Sequence, residues 1–299
     1  MLSRKIMEPF AINVCELKKL YGTQEVVKSI SFAVNKGEVF GFLGPNGAGK
    51  TTSIRMIIGE IPASAGKIEV LGRAVPAELP EIKKLTGIVP DYQNLYDRLT
   101  VRQNLEFFAA LNNVTPDQID IVLEEVFLAE HQGKACKDLS RGLRQRALIA
   151  RGLLHRPEVF FLDEPTSALD PHSAKLIREL VLKLKCAGTT VFLTTHYMEE
   201  ADMLCDRIAI MNRGTIVACG SPENLKKQFG RRSARVEILR DNKPETHEFS
   251  IDDPSQKAEM ASMLNSSTIL RIHTQEAKLE EVFMHVTGDE WKPESEDAR

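Results

Sequence analysis

Nine residues, Gly44-Pro45-Asn46-Gly47-Ala48-Gly49-Lys50-Thr51-Thr52, constrain this chain more than any others. They fit G-x-x-x-x-G-K-[ST], the loop with which nucleotide triphosphatases wrap phosphate. Such a loop needs a buried strand before it and a helix after it. Glu38-Val39-Phe40-Gly41-Phe42-Leu43 reads as that strand, and Thr52 to Ile58 as the helix start. Glycine lets the backbone curl until successive N–H groups point at phosphate oxygens. The helix adds the positive end of its dipole. In this pattern Lys50 reaches the β- and γ-phosphates, and the Thr51 hydroxyl binds Mg²⁺. The unit belongs to α/β folds, whose parallel strands deliver such loops at one edge of a sheet.

The remaining composition narrows the class. The chain has 299 residues, of which 42% are hydrophobic and 27% charged, as in a soluble globular protein of one large or two smaller domains. A net charge of -3 argues against a nucleic-acid partner. No apolar run approaches the roughly 18 residues that span a bilayer. The N-terminus carries basic residues without an apolar core behind them, so it does not read as a signal peptide. Cys15, Cys136, Cys186, Cys205 and Cys219 are scattered, which suits a reducing cytosol, and most are expected in the core.

Along the chain, Ala11–Leu17 and Val26–Val34 read as strands. From about Val101 to Leu154 the spacing turns helical, over Val101–Phe108, Ile119–Leu128 after a capping signal at Thr115-Pro116-Asp117, and Arg141–Leu154. Val159–Leu162 and Thr189–Thr195 read as buried strands flanking a helix over Pro171–Ala187, which predicts a parallel sheet. After the basic junction Lys226–Arg232, strands over Ala234–Leu239, His247–Ile251 and Ile269–His273 and helices over Pro254–Leu264 and Glu276–His285 predict a small α+β appendage of about 60 residues. Gly288–Arg299, with Trp291, reads as a polar, frayed and flexible tail.

Two further motifs bear on the phosphate loop. Leu162-Asp163-Glu164-Pro165 ends an apolar run, where a strand delivers carboxylates to the sheet edge. Asp163 suits Mg²⁺ and Glu164 suits a general base for an attacking water. His196 ends another strand, where a histidine contacts the γ-phosphate and positions that water.

The order of these motifs resembles the ATP-binding subunit of ABC transporters over about residues 8–228. Leu139-Ser140-Arg141-Gly142-Leu143-Arg144-Gln145-Arg146 is similar to the family signature L-S-G-G-Q, with Arg141 in place of the first glycine. Ser167-Ala168-Leu169-Asp170 matches its aspartate loop, and Tyr21 its adenine-stacking aromatic position. The resemblance implies a P-loop ATPase core with an N-terminal antiparallel β-subdomain, a helical subdomain at about 93–155, and an appendage at 229–288 before the tail at 289–299. It implies that ATP bound at Gly44–Thr52 also meets Ser140, Gly142 and Asp170 of a second copy, in a head-to-tail homodimer. It further implies a separate transmembrane permease, with this chain peripheral on the cytoplasmic face of the membrane. Lys278–Gly288 resembles the ends of daunorubicin-resistance-type drug and lipid exporter ATPases, which favours export.

The glutamine loop departs from the family. Relatives usually carry glutamine directly after the proline. Here Pro90 is followed by Asp91, and Gln93 comes two residues later. Either Gln93 reaches the metal through a shifted loop, or Asp91 occupies the position as a charged ligand. The aspartate also keeps open a weakly hydrolysing nucleotide switch, and a soluble ABC ATPase without a membrane partner is the other alternative.

Overall fold

A computed structural model describes residues 10–91, 94–230, 233–240, 243–266, 268–275 and 277–288. Gln93, Arg231, Arg232 and the tail 289–299 with Trp291 lie outside the described residues. The chain divides between Val217 and Ala218 into two compact units.

In the first unit, β1 (Phe10–Tyr21) and β2 (Gln24–Asn35) form an antiparallel hairpin. β3 (Val39–Leu43) and α1 (Lys50–Ile57) flank the phosphate loop. β4 (Ala65–Val70) pairs antiparallel with β1, and β5 (Arg73–Val75) with β4, which completes the sheet order β2-β1-β4-β5. α2 (Leu79–Leu85) then leads into β6 (Thr86–Val89). The helical block is α3 (Val101–Leu111), α4 (Pro116–Glu125) and α5 (Arg141–Leu153). β7 (Val159–Asp163), α6 (Pro171–Cys186), β8 (Thr190–Thr195), α7 (Met198–Leu204), β9 (Arg207–Asn212) and β10 (Thr215–Gly220) follow.

A second sheet has the order β10-β9-β3-β8-β7-β6, and β9, β3, β8, β7 and β6 run parallel. Every residue of β3, β7 and β8 is buried. That explains their near-continuous apolar sequence, because both faces of a parallel sheet are covered. One apolar cluster joins Val14 and Val34 of the first sheet, Ile54 and Ile57 of α1, and Phe40, Phe42, Phe161 and Phe192 of the second. α1 and the phosphate loop before it are thereby fixed between rigid layers.

The helical block shows why its ends were harder to read. α3 starts at a capping box, with Gln103 N–H donating to Thr100 Oγ1 at 3.1 Å and Thr100 N–H to Gln103 Oε1 at 2.9 Å. α4 starts at Pro116, as its capping signal predicts, but stops at Glu125 rather than Leu128. Phe127 turns left-handed at φ 57°, which buries Leu128. The turn is held from α5, where the buried Arg146 guanidinium donates to the carbonyls of Val126 at 3.3 Å and Phe127 at 2.7 Å. Burial lowers the Arg146 pKa, against the opposing charge of Asp170. Arg146→Met removes both donors and is expected to destabilise the chain by about 2 kcal/mol, read as a lower urea midpoint at unchanged slope.

The second unit holds α8 (Pro222–Phe229), β11 (Ser233–Arg240), β12 (Lys243–Ser250), α9 (Pro254–Ser266), β13 (Thr268–Gln275) and α10 (Leu279–Thr287). Its antiparallel sheet, β12-β11-β13, buries Val236, Ile238 and Phe249 against Met260, Met263 and Leu264 of α9. β12 begins at Lys243, four residues before the expected His247, because its pairing with β11 extends to Arg240↔Lys243. Cys136 and Cys205 are buried, but Cys15, Cys186 and Cys219 are exposed. The expectation of mostly core cysteines therefore fails, since Cys186 ends α6 and Cys219 lies on the edge strand β10. Among the described residues no helix is long and apolar enough to cross a membrane.

Candidate active site

The loop between β3 and α1 is a concave backbone. Gly47 and Gly49 have φ 77° and 108°, which disfavour residues with a side chain. A Cβ on Gly44 would stand 2.2 Å from the Met211 carbonyl oxygen, whereas one on Gly47 would meet nothing within 4 Å. The loop is thus pinned at its base and open at its crest. Pro45 and Asn46 lie on the outward side, Ala48 is buried, and Thr52 is half-buried in the first turn of α1. Lys50 is only 4% exposed. Its Nζ donates to the carbonyls of Gly44 at 2.8 Å and Pro45 at 3.2 Å, and lies 3.3 Å from Glu164 Oε1. A buried cation at the mouth of a curled, glycine-rich loop fits a polyphosphate chain.

β7 delivers the carboxylates to the same place. Thr51 Oγ1 donates to Asp163 Oδ1 at 3.3 Å, and the Thr194 hydroxyl donates to the same oxygen. Glu164 takes φ 49° and lies between Lys50 and His196, with Oε2 3.1 Å from His196 Nδ1 and Oε1 3.3 Å from Lys50 Nζ. Burial works to raise the Glu164 carboxyl pKa. The hydrogen bond to His196 and the Lys50 charge outweigh it, so Glu164 is held below the usual range and ionised at neutral pH. Asp163 moves the other way. Burial raises it, the Thr194 hydrogen bond opposes this, and the negative charge of Asp91 adds to the rise. Asp91 is exposed and acts on Asp163 through its charge, while Gln93 lies outside the described residues.

A second group of expected residues collects at two helix starts. Ser140 caps α5, its Oγ accepting the Leu143 N–H at 3.3 Å. Asp170 caps α6, its Oδ1 accepting the Ser173 N–H at 2.9 Å, and its hydrogen bonds with Ser173 lower its pKa. A Cβ on Gly142 would stand 2.1 Å from Ser173 Oγ and 3.7 Å from Asp170 Oδ2, so the glycine lets the two helix ends close up. Tyr21 ends β1 with half its surface exposed, and Lys19 Nζ lies 4.9 Å from its ring centroid. The hairpin it belongs to borders the loop, because Val26 O lies 3.1 Å from where a Gly49 Cβ would sit.

Two contacts were not anticipated. Thr194 bonds both carboxylate residues, through Asp163 Oδ1 and the Glu164 N–H. Glu200 is buried in α7 and accepts the Thr166 hydroxyl at 2.7 Å, and burial raises its pKa.

The description "ABC transporter" is matched by residues 27–167 of this chain. A fluoroquinolones export ATP-binding protein of Mycobacterium tuberculosis is 40% identical over 268 residues, spanning 89% of this chain and 88% of its own length. The chain belongs to the ABC transporter family. A Nod factor export ATP-binding protein I of Rhizobium etli is 36% identical over 304 residues, spanning 94% of both chains. A solved ATP-binding subunit of an ABC transporter superposes with TM-score 0.67 at 28% identity, covering 73% of this chain and 93% of that one. As an ABC transporter ATP-binding protein the chain is an ATPase. Its core is the P-loop α/β fold with an antiparallel subdomain, a helical block and a C-terminal α+β unit, as the motif order implied.

Proposed function

We propose that this chain hydrolyses ATP to power export of a substrate through a separate transmembrane subunit. The observation that carries this reading is the ionised Glu164 held between Lys50 and His196 beside Asp163, on a phosphate loop. The export direction is supported by relatives whose names specify export and whose likeness runs nearly end to end.

The residues divide the work. The Gly44–Thr52 backbone and Lys50 bind the triphosphate, and Tyr21 stacks on adenine by its ring face. Thr51, Asp163 and Asp91 would hold Mg²⁺, which when bound neutralises charge on the β- and γ-phosphate oxygens. Lys50 now shares Glu164 Oε1 and two loop carbonyls. A triphosphate competes for its ammonium and releases that carboxylate oxygen to take a proton from the attacking water. His196 keeps the other oxygen oriented. Ser140, Gly142 and Asp170 of a second copy close over the γ-phosphate with the N-terminus of α5. One phosphate loop per chain then yields two sites in a two-fold dimer. The cassette extends to about residue 228, and its helical subdomain, about 93–155, meets the permease on the cytoplasmic face of the membrane. Residues 229–288 form the appendage.

Affinity-tagged chain extracted from native membranes in detergent is expected to bring down a multi-span membrane protein, and the complex to hydrolyse ATP faster than the chain alone. Recovery from the aqueous fraction only, with no such protein bound, would contradict the reading. Within the site, Asp91→Ala is expected to lower the ATPase rate more than Gln93→Ala, and the reverse ranking would return the glutamine-loop role to Gln93.

A further inference from the structure

β8 carries a threonine that neither the phosphate loop nor the carboxylate motif accounts for. Thr194 is fully buried, two residues before His196. Its hydroxyl donates to Asp163 Oδ1 and accepts the Glu164 N–H at 3.0 Å, while its own carbonyl lies 3.1 Å from that same N–H. One hydroxyl therefore touches both members of the carboxylate pair. Neighbouring residues on a strand turn their side chains to opposite faces. Asp163 and Glu164 instead both serve the phosphate loop, Asp163 meeting Thr51 and Glu164 meeting Lys50. Glu164 achieves this at φ 49°, a left-handed conformation that a side chain disfavours and that surrounding contacts must hold. The bond from the Glu164 N–H to the Thr194 hydroxyl is placed at that turn.

We infer that Thr194 is a positioning residue for ATP hydrolysis, its hydroxyl aiming Asp163 at Thr51 and fixing the turn that keeps the Glu164 carboxylate between Lys50 and His196. The inference rests on the roles proposed above for Asp163 and Glu164. It assigns Thr194 no contact with nucleotide. Valine is a suitable replacement: it has nearly the same shape, suits a buried strand, and removes only the hydroxyl. The Glu164 N–H keeps the Thr194 carbonyl as an acceptor in that variant, and Asp163 keeps the Thr51 hydroxyl. Serine restores the hydroxyl and omits only a methyl group.

The test compares wild type, Thr194→Val, Thr194→Ser and Glu164→Gln as the purified full chain. Each is assayed for kcat and KM in ATP hydrolysis, and for binding of a fluorescent ATP analogue with and without Mg²⁺. Thr194→Val is expected to lose about 10- to 100-fold in kcat, the scale of a small misplacement of catalytic groups. Its metal-free analogue affinity is expected to stay within about two-fold, since phosphate-loop contacts are intact. The gain in affinity on adding Mg²⁺ is expected to shrink, because Asp163 is less firmly aimed. Thr194→Ser is expected to recover most of the kcat. Thermal melting of each variant accompanies the kinetics, and Thr194→Ala substitutes if the valine variant does not fold. Wild-type kcat in Thr194→Val, or equal losses in Val and Ser, would overturn the inference while leaving the proposed function intact. A wild-type rate in Glu164→Gln would instead overturn the general-base role proposed for Glu164, and this inference with it.

Discussion

Glu164→Gln is expected to slow ATP hydrolysis by about 10²- to 10⁴-fold, the range a positioned general base contributes. The substitution keeps the shape of the side chain and removes its capacity to accept a proton. Glutamine can still pair with His196 through its amide, and Lys50 keeps the carbonyls of Gly44 and Pro45. ATP binding should therefore persist, because the ion pair that Lys50 loses is one that triphosphate displaces in the proposed mechanism. Phosphate release and equilibrium binding of ATP, measured on the same preparation, separate the two effects. A Glu164→Gln variant that hydrolyses at close to the wild-type rate would mean that the water is activated elsewhere.

Gly44→Ala should produce a large loss of stability from a single methyl group. The new Cβ would stand 2.2 Å from the Met211 carbonyl oxygen and 3.2 Å from its carbon. A side chain could rotate away, but this carbonyl is backbone of β9 itself, and β9 is locked to β3 through Gly41↔Ile208 and Leu43↔Ile210. Either the loop or the strand must shift. The expected cost is about 3 kcal/mol or more, at the upper end of what overpacking a core causes. For a unit of this size that lowers the melting temperature by roughly 6–12 °C. Gly47→Ala provides the contrast. Its Cβ meets nothing within 4 Å, so only the strain of φ 77° remains, about 1–2 kcal/mol. Melting curves without nucleotide decide the matter, and equal losses at the two glycines would contradict the packing account.

What could be read from the sequence follows from where structure is fixed locally. β3, β7 and β8 are short, wholly buried, largely apolar runs, and the phosphate loop and Pro171 punctuate them in the chain itself. That Lys50, Asp163, Glu164 and His196 would come together was legible because Lys50 follows the loop after β3, Asp163 and Glu164 stand at the end of β7, and His196 at the end of β8. The end of α4 was not, since the two carbonyls just past it are held by Arg146, some twenty residues further on. Nor was the part played by Thr194. Threonine is an ordinary strand former, and only the fold brings its hydroxyl between the Asp163 carboxylate and the Glu164 N–H at the end of the neighbouring strand. Asp91 shows a different limit. Its charge reaches Asp163, yet a loop two residues out of the family pattern does not say which residue ligates.

Ser140, Gly142 and Asp170 gather at the starts of α5 and α6, around contacts of their own. Their proposed role depends on a second chain bringing them to the γ-phosphate over Lys50. Light scattering on Glu164→Gln, with and without saturating Mg-ATP, addresses this directly. With nucleotide the mass should rise to twice the 33.5 kDa of one chain, and without it return to the single value. A mass that stays at one chain in Mg-ATP, both alone and in the presence of the membrane subunit, would refute the shared site.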